Sequence, residues 1–428
     1  ELTPEEAEQQ MNTGDFRVFL DNSSRLMERV LSVKYDPLID YGAADETEKD
    51  LAPDQAVGEP KRFSDSRWTK GRTVTYIDWS SKHPELFAAA YNENPDAPHD
   101  PDGLVLIWNT HNLTRPEYYF ECQSAVLCCR ISPYQPNLVA AGTYSGQIVI
   151  WDKRSNKRTP VQRSSLSSNG HSYPVYCMDI VGTMNAHNLI TVSTDGKLCS
   201  WSMDTLSEPE DRMLQLGNTK QATATCISFP PGDTNNFLLG TEEGTVYQAS
   251  RHGAKAGVQT DGYAMPGYIG PVTGLQHHPA TGNGEFSHLF LSSSTDWTVK
   301  LWSMRDHMAL NVFDYFDDYV YDVKWSPVHP ALFASVDGTG QLDFWNLNGD
   351  MEVPLARVTV QGHNIALNCL RWHQSGTSVA VGDADGTVHV YDIGDRLALP
   401  RADENSKLRE TLNDLQAVRE DVDRVAAQ

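Results

Sequence analysis

The sequence predicts an all-β protein, a seven-bladed β-propeller with a helical extension at each end. The first observation is a repeat. Apolar runs beginning at Val74, Val126, Val175, Ala224, Val272, Val320 and Leu367 follow one another at steps of 52, 49, 49, 48, 48 and 47 residues. The second is the constant order of signals inside each copy. A first strand ends in a turn such as Trp325, Ser326 and Pro327, and a short apolar second strand follows, as at 331–335. The third is a tight turn before the third strand, supplied by Gly103, Gly146, Gly196, Gly244, Gly340 or Gly386, with Trp297 in the glycine place of the fifth copy. A glycine there allows the positive φ that a two-residue hairpin needs. The third strand then closes on Trp108, Trp151, Trp201, Ala249, Trp302, Trp345 or Tyr391. Four short strands per repeat, repeated radially, leave only short protected edges, which is the propeller solution.

Along the chain this divides into four parts: residues 1–39, helical; 40–71, an acidic linker; 72–400, the propeller; and 401–428, a C-terminal amphipathic helix. Thr3, Pro4 and Glu6 form a capping box with proline at the first helical position. Phe16, Phe19, Leu20, Met27, Val30 and Leu31 recur on one helical face, with Ser23 interrupting the stripe, so two helices meeting near Asn22 are also compatible. Acidic residues with Ala, Gly and Pro make the linker. Leu408, Leu412, Leu415, Val418, Val422 and Val425 give the last helix its apolar face. For closing the ring two sources of an outer strand stand open, Arg396–Pro400 at the end of the last repeat or the residues around Arg67, Trp68 and Thr69 before the first.

The 428 residues include 34 Lys and Arg against 57 Asp and Glu, a formal charge of −23. That balance disfavours nucleic acid and anionic membranes as partners. No apolar run is long enough to span a bilayer. The seven cysteines, Cys122, Cys128, Cys129, Cys177, Cys199, Cys226 and Cys369, show no CxxC spacing and lie in strand-like runs. They read as buried thiols of a cytosolic protein rather than as disulfides or a zinc site.

The Trp-Asp ending at Trp151 and Asp152, with Tyr391–Asp392 and Trp345–Asn346 as near relatives, is similar to the WD-repeat family over roughly residues 72–400. The resemblance implies a hydrogen-bonded tetrad in each blade, matched in the third by His171, Ser193, Asp195 and Trp201. The fifth keeps Ser294, Asp296 and Trp302 with Tyr268 at the His place, and the seventh has His363, Asp385 and Tyr391. Because the spacing repeats per blade, these residues read as structural and not catalytic. No phosphate-binding loop, HExxH or GxSxG elbow occurs. His277 and His278 are strand neighbours whose side chains point to opposite faces and so cannot readily share a metal. No catalytic residue, metal or cofactor is therefore expected. Lys153, Arg154, Lys157, Arg158 and Arg163 make a basic run in an acidic chain, a candidate contact for an acidic partner.

The run GTYSGQIVIWDKRSNKRTPVQR at 142–163 is similar to the second repeat of the cytoplasmic dynein intermediate chains. DWTVKLW at 296–302, DYVYDVKWSP at 318–327 and RHGAKAG at 251–257 resemble the same family at their own places in the propeller. The resemblance implies a non-catalytic intermediate chain present in two copies per motor, cytoplasmic and microtubule-associated, serving minus-end-directed transport. Its propeller would bind the dynein heavy-chain tail, and the helical segment would bind a roadblock-type light chain dimer through Phe16, Phe19, Leu20, Met27, Val30 and Leu31. Exposed aromatic and arginine side chains carry a large share of interface energy, which points to Tyr144, Trp297, Arg154 and Arg158 for the heavy chain. Two other readings are a WD-repeat adaptor of another complex, such as a vesicle coat or intraflagellar transport, and a propeller enzyme working in the central channel. Which large helical protein co-purifies separates the first; convergent ionisable groups in the channel would mark the second.

Overall fold

A computed structural model describes Thr3, Met11 and residues 13–32 and 57–426, apart from 156, 166–168, 207, 214, 217–219, 253–256, 260–262, 264–269, 280–284, 307, 361–364 and 402. Seven antiparallel four-stranded sheets stand around a central channel. Blade one runs Val74–Trp79, Leu86–Tyr91, Gly103–Asn109 and Tyr118–Cys122 from the channel outward. The inner strands of the other six are Val126–Ile131, Val175–Thr183, Ala224–Ser228, Val272–His277, Val320–Trp325 and Leu367–Trp372. The inner strands mix buried and half-buried residues, whereas the second strands Leu86–Tyr91 and Leu332–Asp337 are buried throughout. Second strands face neighbouring blades on both sides and so need small or apolar residues at every position.

All seven inner strands carry a β-bulge at the same place, after the first residue. The extra residues are Thr75, Leu127, Tyr176, Thr225, Thr273, Tyr321 and Asn368. A bulge re-aims one side chain out of the ladder. Here it aims four of them at the next blade: Thr75 donates to the Val126 carbonyl at 2.8 Å, Thr225 to Val272 at 2.6 Å, Thr273 to Val320 at 2.5 Å and Asn368 to Val74 at 3.3 Å. The last of these joins blade seven to blade one.

The ring closes by strand exchange, and neither of the two expected sources supplies the strand. Lys61–Phe63 pairs antiparallel with Val388–Asp392 as the outer strand of blade seven. Phe63 is fully buried there and packs edge-on against Phe87 and Trp108 of blade one, at 5.1 and 5.8 Å. The propeller thus begins inside the expected 40–71 linker. Arg396–Pro400 supplies no strand because Asp395–Ala398 turns into a short helix whose Leu397 and Ala398 are buried. Arg67, Trp68 and Thr69 lie in a turn, where Trp68 stacks on Tyr119 at 5.0 Å.

Trp297 holds φ at +67°, the one non-glycine residue with positive φ among those described. It occupies the turn position that glycine takes at Gly146, Gly196, Gly244, Gly340 and Gly386. The seven cysteines are unpaired and buried, and desolvation raises the pKa of Cys128 and Cys226 to about 12. Two helices flank the ring: α1, Gly14–Ser32, and α2, Glu404–Ala426. The helix α1 continues unbroken through Asn22, so the interruption at Ser23 does not divide it.

Candidate functional site

Helix α1 is two-sided. One face is held to the propeller by polar contacts with blade one. Glu28 pairs with Arg115 at 2.8 Å and accepts a hydrogen bond from Asn112 at 3.1 Å; Arg115 also donates to Ser24 at 3.2 Å. Arg25 lies over the Tyr118 ring at 5.1 Å. Phe19, Leu20 and Met27 point away from these contacts and are 63%, 54% and 65% exposed, and Phe16 is half-buried beside Phe19. Helical periodicity puts Arg25 on the face opposite Phe16 and Met27, with Ser24 and Glu28 at the boundary, four and eight residues on from Leu20. The side chains of Val30 and Leu31 lie outside the described residues, as does the expected capping box at Pro4 and Glu6.

The propeller has two unlike ends. Connections between first and second strands and between third and fourth strands share one end. Both helices sit there: α1 on blade one, and α2 on blades five and six. Leu408 and Leu412 of α2 are buried in the cluster of Phe313, Phe316, Trp325 and Trp345, and Arg419 pairs with Asp306 at 3.6 Å. The other end is open and aromatic. Tyr144, Tyr173, Tyr319 and Trp297 stand there in turns, 61%, 58%, 46% and 47% exposed, with Tyr176 beside them on the bulge of blade three.

This splits the four residues expected at the heavy-chain surface. Tyr144 and Trp297 occupy the aromatic end, whereas Arg154 and Arg158 lie at the helix-bearing end, between the third and fourth strands of blade two. Arg154 is spent on Asp152 at 2.8 Å, and Arg158 lies over Tyr119 at 4.1 Å. The reason is connectivity: a turn after a second strand and a turn after a third strand fall at opposite ends of the same sheet. These four do not form one surface.

The channel is lined by paired charges. Arg130 bridges Asp78 and Asp179 at 3.0 and 3.2 Å, Arg371 reaches Asp78 at 3.5 Å, and Lys324 pairs with Asp322 at 2.9 Å. Asp78 also accepts the Ile131 amide of the next blade at 2.9 Å. Burial raises the Asp78 carboxyl to about 6, against the opposing pull of Arg130 and the Ile131 amide. Each acid here is engaged by a cation from its own or a neighbouring blade, which ties blades seven, one, two and three together. His277 turns to Ser228 of blade four at 3.0 Å, while His278 reaches the Pro330 carbonyl of blade six at 2.8 Å, so the two rings do diverge.

The Drosophila melanogaster cytoplasmic dynein 1 intermediate chain is 45% identical over 419 residues, 97% of this chain and 63% of that relative. This chain belongs to the dynein intermediate-chain family. A family model described as the WD40 domain of dynein axonemal intermediate chain 3 matches residues 56–194, and the WD domain, G-beta repeat model matches 356–392. The chain therefore spans about 63% of the length of the intermediate chain it matches. Among the described residues no helix is long and apolar enough to cross a membrane.

In this intermediate-chain propeller the blade-three tetrad uses Thr191, not Ser193. The Trp201 indole donates to Thr191 Oγ1 at 2.9 Å, and Thr191 Oγ1 lies 2.8 Å from His171 Nε2. His171 Nδ1 faces Asp195 at 3.3 Å, and Asp195 accepts the Lys197 amide at 2.9 Å. Ser193 stands at the strand end, where its hydroxyl accepts the Asp195 amide at 3.4 Å. The reason is register. Trp201 pairs with Leu189, and its long indole reaches one side-chain position onward to Thr191 but not two. Blade five repeats the correction: the Trp302 indole donates to Ser292 at 2.8 Å, while Ser294 donates to the Pro271 carbonyl. In blade six Trp345 donates to Ser335 at 3.1 Å. A hydroxyl ten residues before Trp201, Trp302 and Trp345 was the available signal. In blade seven Asp383 meets His389 at 3.0 Å. Tyr268 and His363 lie outside the described residues.

Proposed function

We propose that the chain is a non-catalytic scaffold subunit of the cytoplasmic dynein motor, joining the heavy-chain tail to a roadblock-type light chain dimer during minus-end-directed transport on microtubules. Two copies per motor and a cytoplasmic, microtubule-associated location go with that reading. The observation that carries it is the outward apolar stripe of α1. The propeller takes the polar face of this helix and leaves Phe19, Leu20 and Met27 in water. Burying such side chains is worth about 1.5–3 kcal/mol each before ordering and association costs, so the exposed face favours a partner.

The heavy chain is assigned to the aromatic end, through Tyr144 and Trp297. That end is free of both helices, and Trp297 keeps a strained backbone for no packing gain of its own, a pattern associated with function. Co-purification tests the proposal. The pair Phe19→Asp and Leu20→Asp removes the light chain and keeps the heavy chain, while Tyr144→Ala with Trp297→Ala does the reverse. Normal recovery of both partners with both double variants would reject these assignments.

A further inference from the structure

A groove between α1, the outer strand of blade one and the third-to-fourth-strand connection of blade two collects positive charge. It encloses about 430 Å³ and is lined by Arg17 and Arg25 of the helix and by Lys153, Lys157 and Arg158 of the connection. Asp21 and Glu117 are the acids on its wall. Asp21 is held by Arg25 at 2.8 Å, and Glu117 accepts from Asn109 at 2.8 Å. Arg17, Lys157 and Arg158 are exposed. A surplus of cations on one wall stands out in a chain of formal charge −23.

Lys153 makes the groove more than a solvated charge run. It is 9% exposed as a residue and still lines the groove. Burial lowers its pKa against the opposing pull of Glu117, Glu85 and Asp152. Tyr118, Tyr119 and Phe120 add an aromatic side to the same space. The volume falls within the ~300–1,000 Å³ of ordinary ligand sites and suits several residues of an extended chain better than one small anion.

We propose that this groove binds an acidic polypeptide segment of a partner, with carboxylates on Lys153, Lys157, Arg158 and Arg17. Such a contact gathers its encounter rate and its salt dependence from the field of the patch. It uses the face of α1 opposite the apolar stripe, so it holds or fails independently of light-chain binding. A segment bound here would touch helix and propeller together and fix the angle at which α1 leaves blade one.

The test is fluorescence polarisation with the full chain and a labelled octapeptide of alternating Glu and Ala. Binding that weakens with added salt is expected, together with weaker binding of the same peptide carrying Lys for Glu. Lys153→Met, which keeps the buried stem, and the exposed pair Lys157→Glu with Arg158→Glu each lower affinity by about tenfold or more. Arg17→Glu lowers it as well, because the helix forms one wall. Equal affinity in the Lys157→Glu, Arg158→Glu chain, with its melting temperature unchanged, overturns the proposal. So does displacement of the peptide by an equal concentration of inorganic phosphate, which would mark a small-anion site.

Discussion

Phe63, eleven residues before the first inner strand, packs edge-on against Trp108 at 5.8 Å while its backbone pairs with Val388 of the last blade. One residue thus joins the two ends of the repeat array. The chain passes from this outer strand of blade seven directly into the inner strand of blade one, so the paired strand acts as the clasp. Phe63→Ala removes a fully buried ring from the blade one–blade seven cluster. A loss of about 3–5 kcal/mol is expected, as for other buried Phe truncations. Chemical denaturation checks it, and a loss under about 1 kcal/mol would show that the ring closes without the clasp.

The tetrad separates two nearby hydroxyls. Thr191→Val strands the Trp201 indole and the His171 ring in a buried site, at a cost of about 1–3 kcal/mol. Ser193→Ala removes only a long bond to the Asp195 amide and costs about 1 kcal/mol or less. His171→Ala behaves like Thr191→Val. Thermal melts of the three variants give that order, and a larger effect at Ser193 than at Thr191 would contradict the geometry.

Trp297→Gly is expected to leave the melting temperature unchanged or raise it. Relief of the left-handed backbone at φ +67° is worth about 1 kcal/mol. The ring of Trp297 is 47% exposed, so little packing is lost. The same variant weakens heavy-chain recovery. A clear drop in melting temperature would mean that Trp297 serves the fold instead.

Acid weakens the propeller through two buried histidines. Burial lowers His277 to about 3 and His278 to about 4 from the ordinary 6.5. In the unfolded chain both take up protons near pH 6.5, whereas the folded protein resists. Their contribution is complete above pH 6.5 and is lost as pH falls toward those folded values, at up to about 1.4 kcal/mol per pH unit for each. Asp78 acts in the opposite sense. Its carboxyl is raised to about 6, so it favours the fold at low pH and loses that benefit as pH rises from about 4 to 6. Two groups outweigh one, and net stability falls between pH 6.5 and 4.5. His277→Gln flattens that slope in denaturation curves taken across the window. A slope equal to that of the unaltered chain would remove His277 from the account.

The repeat, the blade number and the strand order were legible from residue spacing, because six blades and three strands of the seventh are each built from contacts within about fifty residues. The same holds for the glycine place taken by Trp297 and for the apolar stripe of α1, since turn chemistry and helical periodicity are local. Local pattern could not choose the clasp. Lys61–Phe63 is three residues long and meets its partner strand more than three hundred residues away. Nor could it choose between Thr191 and Ser193, which have the same strand parity and differ only in how far the Trp201 indole reaches. Which end of the ring each turn occupies depends on counting strands around closed sheets, and so Arg154 and Arg158 parted from Tyr144 and Trp297. The sequence by itself determined what each segment becomes. The tertiary structure decided what each segment meets, because strand exchange, side-chain reach and the docking of two helices at one end are settled by closure of the ring.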